Sequence, residues 1–171
     1  YESLKSLGLG YDYFVYVVDA ESPQDFSAEP FTVIRPSQLF ACDEYTRLAF
    51  LFNALELSTN VKPRLLKHLL QNGYSNVLYF DPDIYIYRDI GSIFKHFSDG
   101  SILLTPHSLH PYEGTLRPND QDLLIGGTFN LGFIGVSNSP AARHFLDWWE
   151  QRCLQLGYNE VRSGLMVDQK W

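Results

Sequence analysis

The sequence predicts an α/β fold in a single domain, with a mostly parallel central sheet flanked by helices. Three observations carry this reading. Short apolar runs alternate along the chain with stretches whose apolar residues recur at helical spacing, the pattern of strand and helix units. The run at residues 13–18 is apolar almost throughout, so its strand should be covered on both faces, as strands of parallel sheets are. The run at residues 77–80 stops at Asp81-Pro82-Asp83, which puts two carboxylates at the carboxyl end of a strand. Open α/β sheets bind their ligands at that edge.

Each element has its own signal. Leu4 and Leu7 suit the last turns of a helix, with Gly8 and Gly10 as its stop. After the strand at 13–18 comes Asp19, which suits either a nucleoside ribose or an ordinary turn. Residues 21–30 are polar and hold two prolines, hence a loop. Residues 31–34 form a short strand, and Pro36 and Ser37 open the next connection. Apolar residues at Leu39/Phe40, Leu48, Leu51/Phe52 and Leu55 predict a helix, which residues 56–60 interrupt. A second helix opens at Val61-Lys62-Pro63, where a first-turn proline is at home, and turns Leu65, Leu66, Leu69 and Leu70 inward. Asn72-Gly73 ends it.

Beyond the carboxylates, residues 84–87 make a second β-prone run, and residues 92–97 an amphipathic helix. Residues 101–105 form a strand that leads into Pro106-His107. Residues 108–122 form a long polar loop of the kind that serves as a lid or acceptor contact. Glycines 126, 127 and 132 precede a strand at 133–136 and let the backbone bend or pass close to a neighbour. Ser139-Pro140 caps a helix through Leu154. Trp148 and Trp149 are adjacent, so one belongs to the core and the other to another face. Asp168 and Gln169 form a polar pair after an apolar stub. Both termini look cut, so a fragment is expected.

Composition narrows the function. At 45% hydrophobic and 19% charged residues the chain is globular, not disordered. A net charge of −7 without a basic block argues against non-specific nucleic-acid binding. Two cysteines, Cys42 and Cys153, make no disulfide framework and favour a reducing compartment. With neither a signal peptide nor a long apolar run in view, a cytoplasmic location is expected, soluble or peripheral to a membrane.

Several residues carry candidate chemistry. Asp81 and Asp83 stand two apart, so an extended backbone would turn both to one side. Two hard oxygen ligands suit Mg2+ or Mn2+ on a diphosphate, although Asp and Pro are also common turn residues. Lys62 lies at a helix N-terminus, where the dipole already favours an anion. It marks a ligand phosphate or is simply solvated. Asn130 sits among the glycines and offers a donor and an acceptor to a sugar hydroxyl. His107 and His110 read better as polar loop residues than as ligands of an oxygen-preferring metal.

Three stretches, in order, resemble the nucleotide-diphospho-sugar glycosyltransferases of the GT-A fold, and their glycogenin-like, family-eight branch in particular. They are the acid-x-acid stretch at 77–86, the stretch Thr128-Phe-Asn-Leu-Gly-Phe-Ile-Gly-Val136, and Val167-Asp-Gln-Lys-Trp171. The resemblance implies a Rossmann-like GT-A domain and a metal-dependent transfer of a sugar from a UDP-sugar or similar donor. The acceptor is unspecified: a saccharide, lipid or protein. By the same resemblance Asp81 and Asp83 hold Mn2+ or Mg2+, and Lys62, Asn130 and Gly132 line the donor. Asp168 and Gln169 lie near the reacting carbon. Lys62 stands where that branch more often has Arg, and a lysine lacks the bidentate fork. The stretch before Tyr1 and a downstream His ligand, both usual in the branch, are missing from the chain. Two other readings stand beside this one: a non-catalytic nucleotide-sugar binding domain, and a phosphatase of the haloacid-dehalogenase type.

Overall fold

The computed structural model describes residues 2–7, 10–19, 25–112 and 117–171. The expected stop at Gly8, part of the loop at 21–30 and residues 113–116 of the long loop lie outside them. The elements follow in chain order: α1 Glu2–Lys5, β1 Phe14–Tyr16, β2 Thr32–Ile34, α2 Pro36–Leu39, α3 Cys42–Leu51, α4 Ala54–Asn60, α5 Lys62–Gln71 and β3 Asn76–Phe80. Then come α6 Gly91–Lys95, β4 Ile102–Pro106, α7 Asp120–Gly126, β5 Phe129–Ser137, α8 Pro140–Leu156, β6 Asn159–Glu160 and β7 Leu165–Met166. A short 3-10 turn at Asp168–Lys170 follows. The protein is mixed α/β, as expected.

The strand directions correct one expectation. β1 and β2 pair in parallel, but the sheet that carries the carboxylates has the order β3-β5-β4, with β5 antiparallel to both neighbours. Among the described residues there is no mostly parallel central sheet. An apolar run covered on both faces says that layers lie above and below it, and says nothing of the direction of its neighbour.

The period-two pattern of these strands sorts the core. Val77, Tyr79, Ile134 and Val136 face the helices α5 and α8, where Leu65, Leu66, Leu69, Leu146 and Trp149 complete the main core. On the other face Leu78 and Gly135 lie opposite each other beneath Phe97, and Phe80 meets Phe133. Trp149 is fully buried and Trp148 is 39% exposed, so the pair divides as expected. Among the described residues no helix is long and apolar enough to cross a membrane.

Several boundaries differ from expectation: β1 is shorter, at Phe14–Tyr16, β5 begins at Phe129 and not at 133, and α7 takes up the end of the loop expected at 108–122. The helical region at 39–60 breaks at Phe40–Ala41 and again at Phe52–Asn53, not at 56–60. Asn53 Oδ1 accepts the Glu56 N–H at 3.0 Å, and Glu56 Oε2 accepts the Asn53 N–H at 3.0 Å. This capping box starts α4, and Glu56, one of the residues expected to interrupt the helix, is half of it. Residues 84–87 form no strand; the chain turns at Asp81–Ile84, where the Ile84 N–H donates to the Asp81 carbonyl at 3.1 Å. Pro82 stands at the second position of that turn, which suits its fixed φ.

Candidate functional site

The site forms around the ammonium of Lys62. Lys62 opens α5, whose buried leucines press the helix on the sheet and so drive its first residue toward the carboxyl end of β3. The side chain is 3% exposed. Its Nζ lies 3.2 Å from Asp81 Oδ1 and 2.9 Å from Asp168 Oδ2, and donates to the Leu131 carbonyl at 3.0 Å. The ring of Tyr79 sits below it, 4.9 Å from centroid to Nζ. One cation thus joins residues from α5, β3, β5 and the C-terminal turn.

Asp81 follows β3 directly, on the core face two residues beyond Tyr79. Its Oδ1 takes both Lys62 and the Tyr79 hydroxyl, the latter at 2.7 Å. Its N–H donates to the Gly132 carbonyl at 2.8 Å. Gly132 is free to approach because β5 bulges there: Leu104 pairs with Ile134 but Thr105 with Asn130, so residues 131–133 peel away from β4. A Cβ on Gly132 would stand 3.3 Å from Asp81 Oδ2 and 2.9 Å from Asn130 Oδ1. Asn130 is exposed, and its Oδ1 accepts the Gly132 N–H at 2.9 Å. Its amide NH2 makes no hydrogen bond among the described residues and stays available. Asp83 is exposed at the third position of the turn, so the two carboxylates do not lie along one extended strand.

Asp168 is 3% exposed. Burial pushes its carboxyl up, and the Lys62 charge only partly offsets this. The ammonium is its charge partner, yet Oδ2 has no aligned hydrogen-bond donor. Val167, just before it, has φ of 42°, an unusual value for a β-branched residue, and turns Asp168 inward. Trp149 Nε1 donates to the Asp168 carbonyl at 3.0 Å. Gln169 is half-buried, and its carbonyl packs on Gly127, whose φ is +106°. Gly126, in contrast, faces open space.

The structure therefore brings Lys62, Asp81, Asn130, Gly132 and Asp168 to one place, with Asp83 on the turn beside them. Lys62 has two carboxylates and one carbonyl around its ammonium inside the protein, so here it holds the carboxylates and does not reach out toward a phosphate. His107 Nδ1 pairs with the Gly127 carbonyl at 3.0 Å, a loop role, and His110 is exposed. Asp19 is exposed in a turn. Sequence reasoning missed Tyr79, Trp149 and Val167. Tyr79 had a signal, since it stands two residues before Asp81 in a strand; Val167 had none.

Among the described residues no group of three or more His, Cys, Asp or Glu converges. Magnesium-type sites are commonly held by one or two carboxylates, with waters and substrate phosphates filling the shell. Asp81 and Asp83, two residues apart on one turn, match that set in the number and type of carboxylates. Lys62 sets one positive charge against the two carboxylates it touches, Asp81 and Asp168.

Comparison with known proteins adds distant relatives. No family model and no solved structure matches the chain. It is 29% identical over 116 residues to the uncharacterized protein YfnF of Bacillus subtilis (strain 168), covering 67% of this chain and 38% of that protein. It is 28% identical over 108 residues to the uncharacterized protein YfnD of the same organism, covering 58% of this chain and 31% of that one. The chain thus spans less than two fifths of the length of the relatives it matches.

Proposed function

We propose that this domain binds a nucleotide-diphospho-sugar and transfers its sugar to an acceptor, with a divalent cation at Asp81 and Asp83. The observation that carries the reading is the meeting of three distant stretches, at Asp81, at Asn130–Gly132 and at Asp168, around one buried ammonium. These are the stretches whose order resembles the family-eight glycosyltransferases. In this reading Asp81 Oδ2 and Asp83 hold Mg2+ or Mn2+, whose Lewis acidity stabilises charge on the leaving diphosphate. The Asn130 amide donates to a sugar hydroxyl. Gly132 keeps that space clear of a side chain. Lys62 and Asp168 act as positioning residues that hold Asp81 in place, and Gln169 lies next to them on the same turn. UDP is the donor nucleotide that the resemblance favours.

The burial of Asp168 equally suits a nucleotide-sugar binder without turnover, since a carboxylate closed off from solvent touches no substrate. Slow hydrolysis of a nucleotide sugar separates transferase from binder. Cleavage of p-nitrophenyl phosphate without any nucleotide would instead favour the phosphatase reading.

Thermal unfolding with Mn2+ and a panel of nucleoside diphosphates tests the donor site. A ligand at a hundred times its Kd stabilises the native state by about 2.7 kcal/mol, or roughly 5–10 °C for a domain of this size. One nucleotide should give such a rise, dependent on Mn2+, and Asp83→Ala should remove the Mn2+-dependent part. No rise with any nucleotide in the wild type would overturn the reading.

A further inference from the structure

The two oxygens of Asp81 stand in different surroundings, and Tyr79 is a main cause. Oδ1 accepts the Tyr79 hydroxyl at 2.7 Å and lies 3.2 Å from the Lys62 ammonium. Oδ2 carries neither contact and faces the gap kept open by Gly132. A carboxylate on a single free torsion can present either oxygen, or both, to a cation. A hydrogen bond and an ion pair on one oxygen remove that freedom.

We infer that Tyr79 is a positioning residue of the carboxylate site: with Lys62 it holds Oδ1 of Asp81, so that Oδ2 is the oxygen offered to a divalent cation. The inference rests on the proposed cation site and deepens it. The phenol suits this task. A phenol is an O–H donor, and this one is aimed at Oδ1. Its ring also packs on the main core and under the Lys62 ammonium, so the oxygen is carried on a rigid base. Tyr79→Phe removes the donor and keeps the ring.

The test is Mn2+ alone, its binding followed by electron paramagnetic resonance of the free ion, on the full chain. The variants are Tyr79→Phe, Asp81→Ala, Asp83→Ala and the double variant Tyr79→Phe/Asp81→Ala, each checked by its melting curve. The wild type should bind, and Tyr79→Phe should bind at least fivefold more weakly with a melting point close to the wild type. In the Asp81→Ala background the same change should have no further effect, because the oxygen it positions is gone. Wild-type binding with Tyr79→Phe within twofold of it overturns the positioning role and leaves the cation site standing. An equal loss in both backgrounds overturns it too, since that marks a general packing effect. No Mn2+ binding by the wild type overturns the cation site itself, and the inference with it.

Discussion

Lys62→Met is expected to destabilise the protein by about 3–5 kcal/mol, the usual consequence of removing one partner of a buried ion pair. The methionine fills much the same space, so the loss is chiefly electrostatic. Asp168 would stay buried beside Asp81 with no cation between them. Two like charges would then face each other in a poorly solvated place, and the last turn of the chain would lose its tie to α5 and β3. Urea unfolding at neutral pH measures the deficit.

The pH dependence of that deficit has a definite sign. The Asp168 carboxyl is raised in the folded state, mainly by burial, with Lys62 pulling it back. A carboxyl raised on folding binds its proton more tightly in the native state, so stability is highest below the unfolded carboxyl range and falls as pH rises through the native one. Removing Lys62 carries the native value higher and widens that window upward. The Lys62→Met deficit should therefore be smaller at pH 5 than at pH 8. A deficit that grew on acidification would mean that the pair does not control Asp168.

Gly127→Ala is the second large effect, on the order of 2–4 kcal/mol from a strained backbone and an overfilled contact together. Gly127 has φ of +106°, and a methyl there would overlap the Gln169 carbonyl. The clash is with backbone, so no side-chain rotation relieves it. The turn at Asp168–Lys170 must shift, and Asp168 with it. Hydrogen exchange should quicken at the amides of Val167 and Trp171, which donate to Tyr158 and Asp168 carbonyls. Gly126→Ala is the control: open space surrounds that position, and the change should stay within about 0.5 kcal/mol.

Elsewhere the molecule holds itself by ordinary means. Arg64 ties α5 to Glu44 of α3 and Glu150 of α8, and Lys67 adds Asp147 and Glu150. Both cations stay charged, since their carboxylate partners outweigh the effect of burial. Cys153 is a packed core thiol, raised by burial and inert in consequence. Cys42 is exposed, and neither cysteine is bonded to another.

The sequence by itself determined the local elements and the identity of the chemical groups. A run such as Val77–Phe80 must bury itself as a strand, the paired leucines of α5 must face a core, and Pro140 after Ser139 must start a helix. These follow from side-chain period and backbone chemistry within a few residues, which is why they were legible. The capping box at Asn53 and Glu56 is equally local, two side chains three residues apart.

Direction and meeting were decided only by the tertiary structure. β5 runs antiparallel to β3, so its amino end, with Asn130 and Gly132, lies beside the carboxyl end of β3 with Asp81. A parallel neighbour would have put those residues at the opposite edge of the sheet. The bulge at 131–133, the left-handed φ of Val167 and the burial of Lys62 all depend on what packs against them from distant parts of the chain. A lysine at a helix start looks solvated in sequence, because only a fold that sets two carboxylates and a carbonyl around its ammonium can hold it inside.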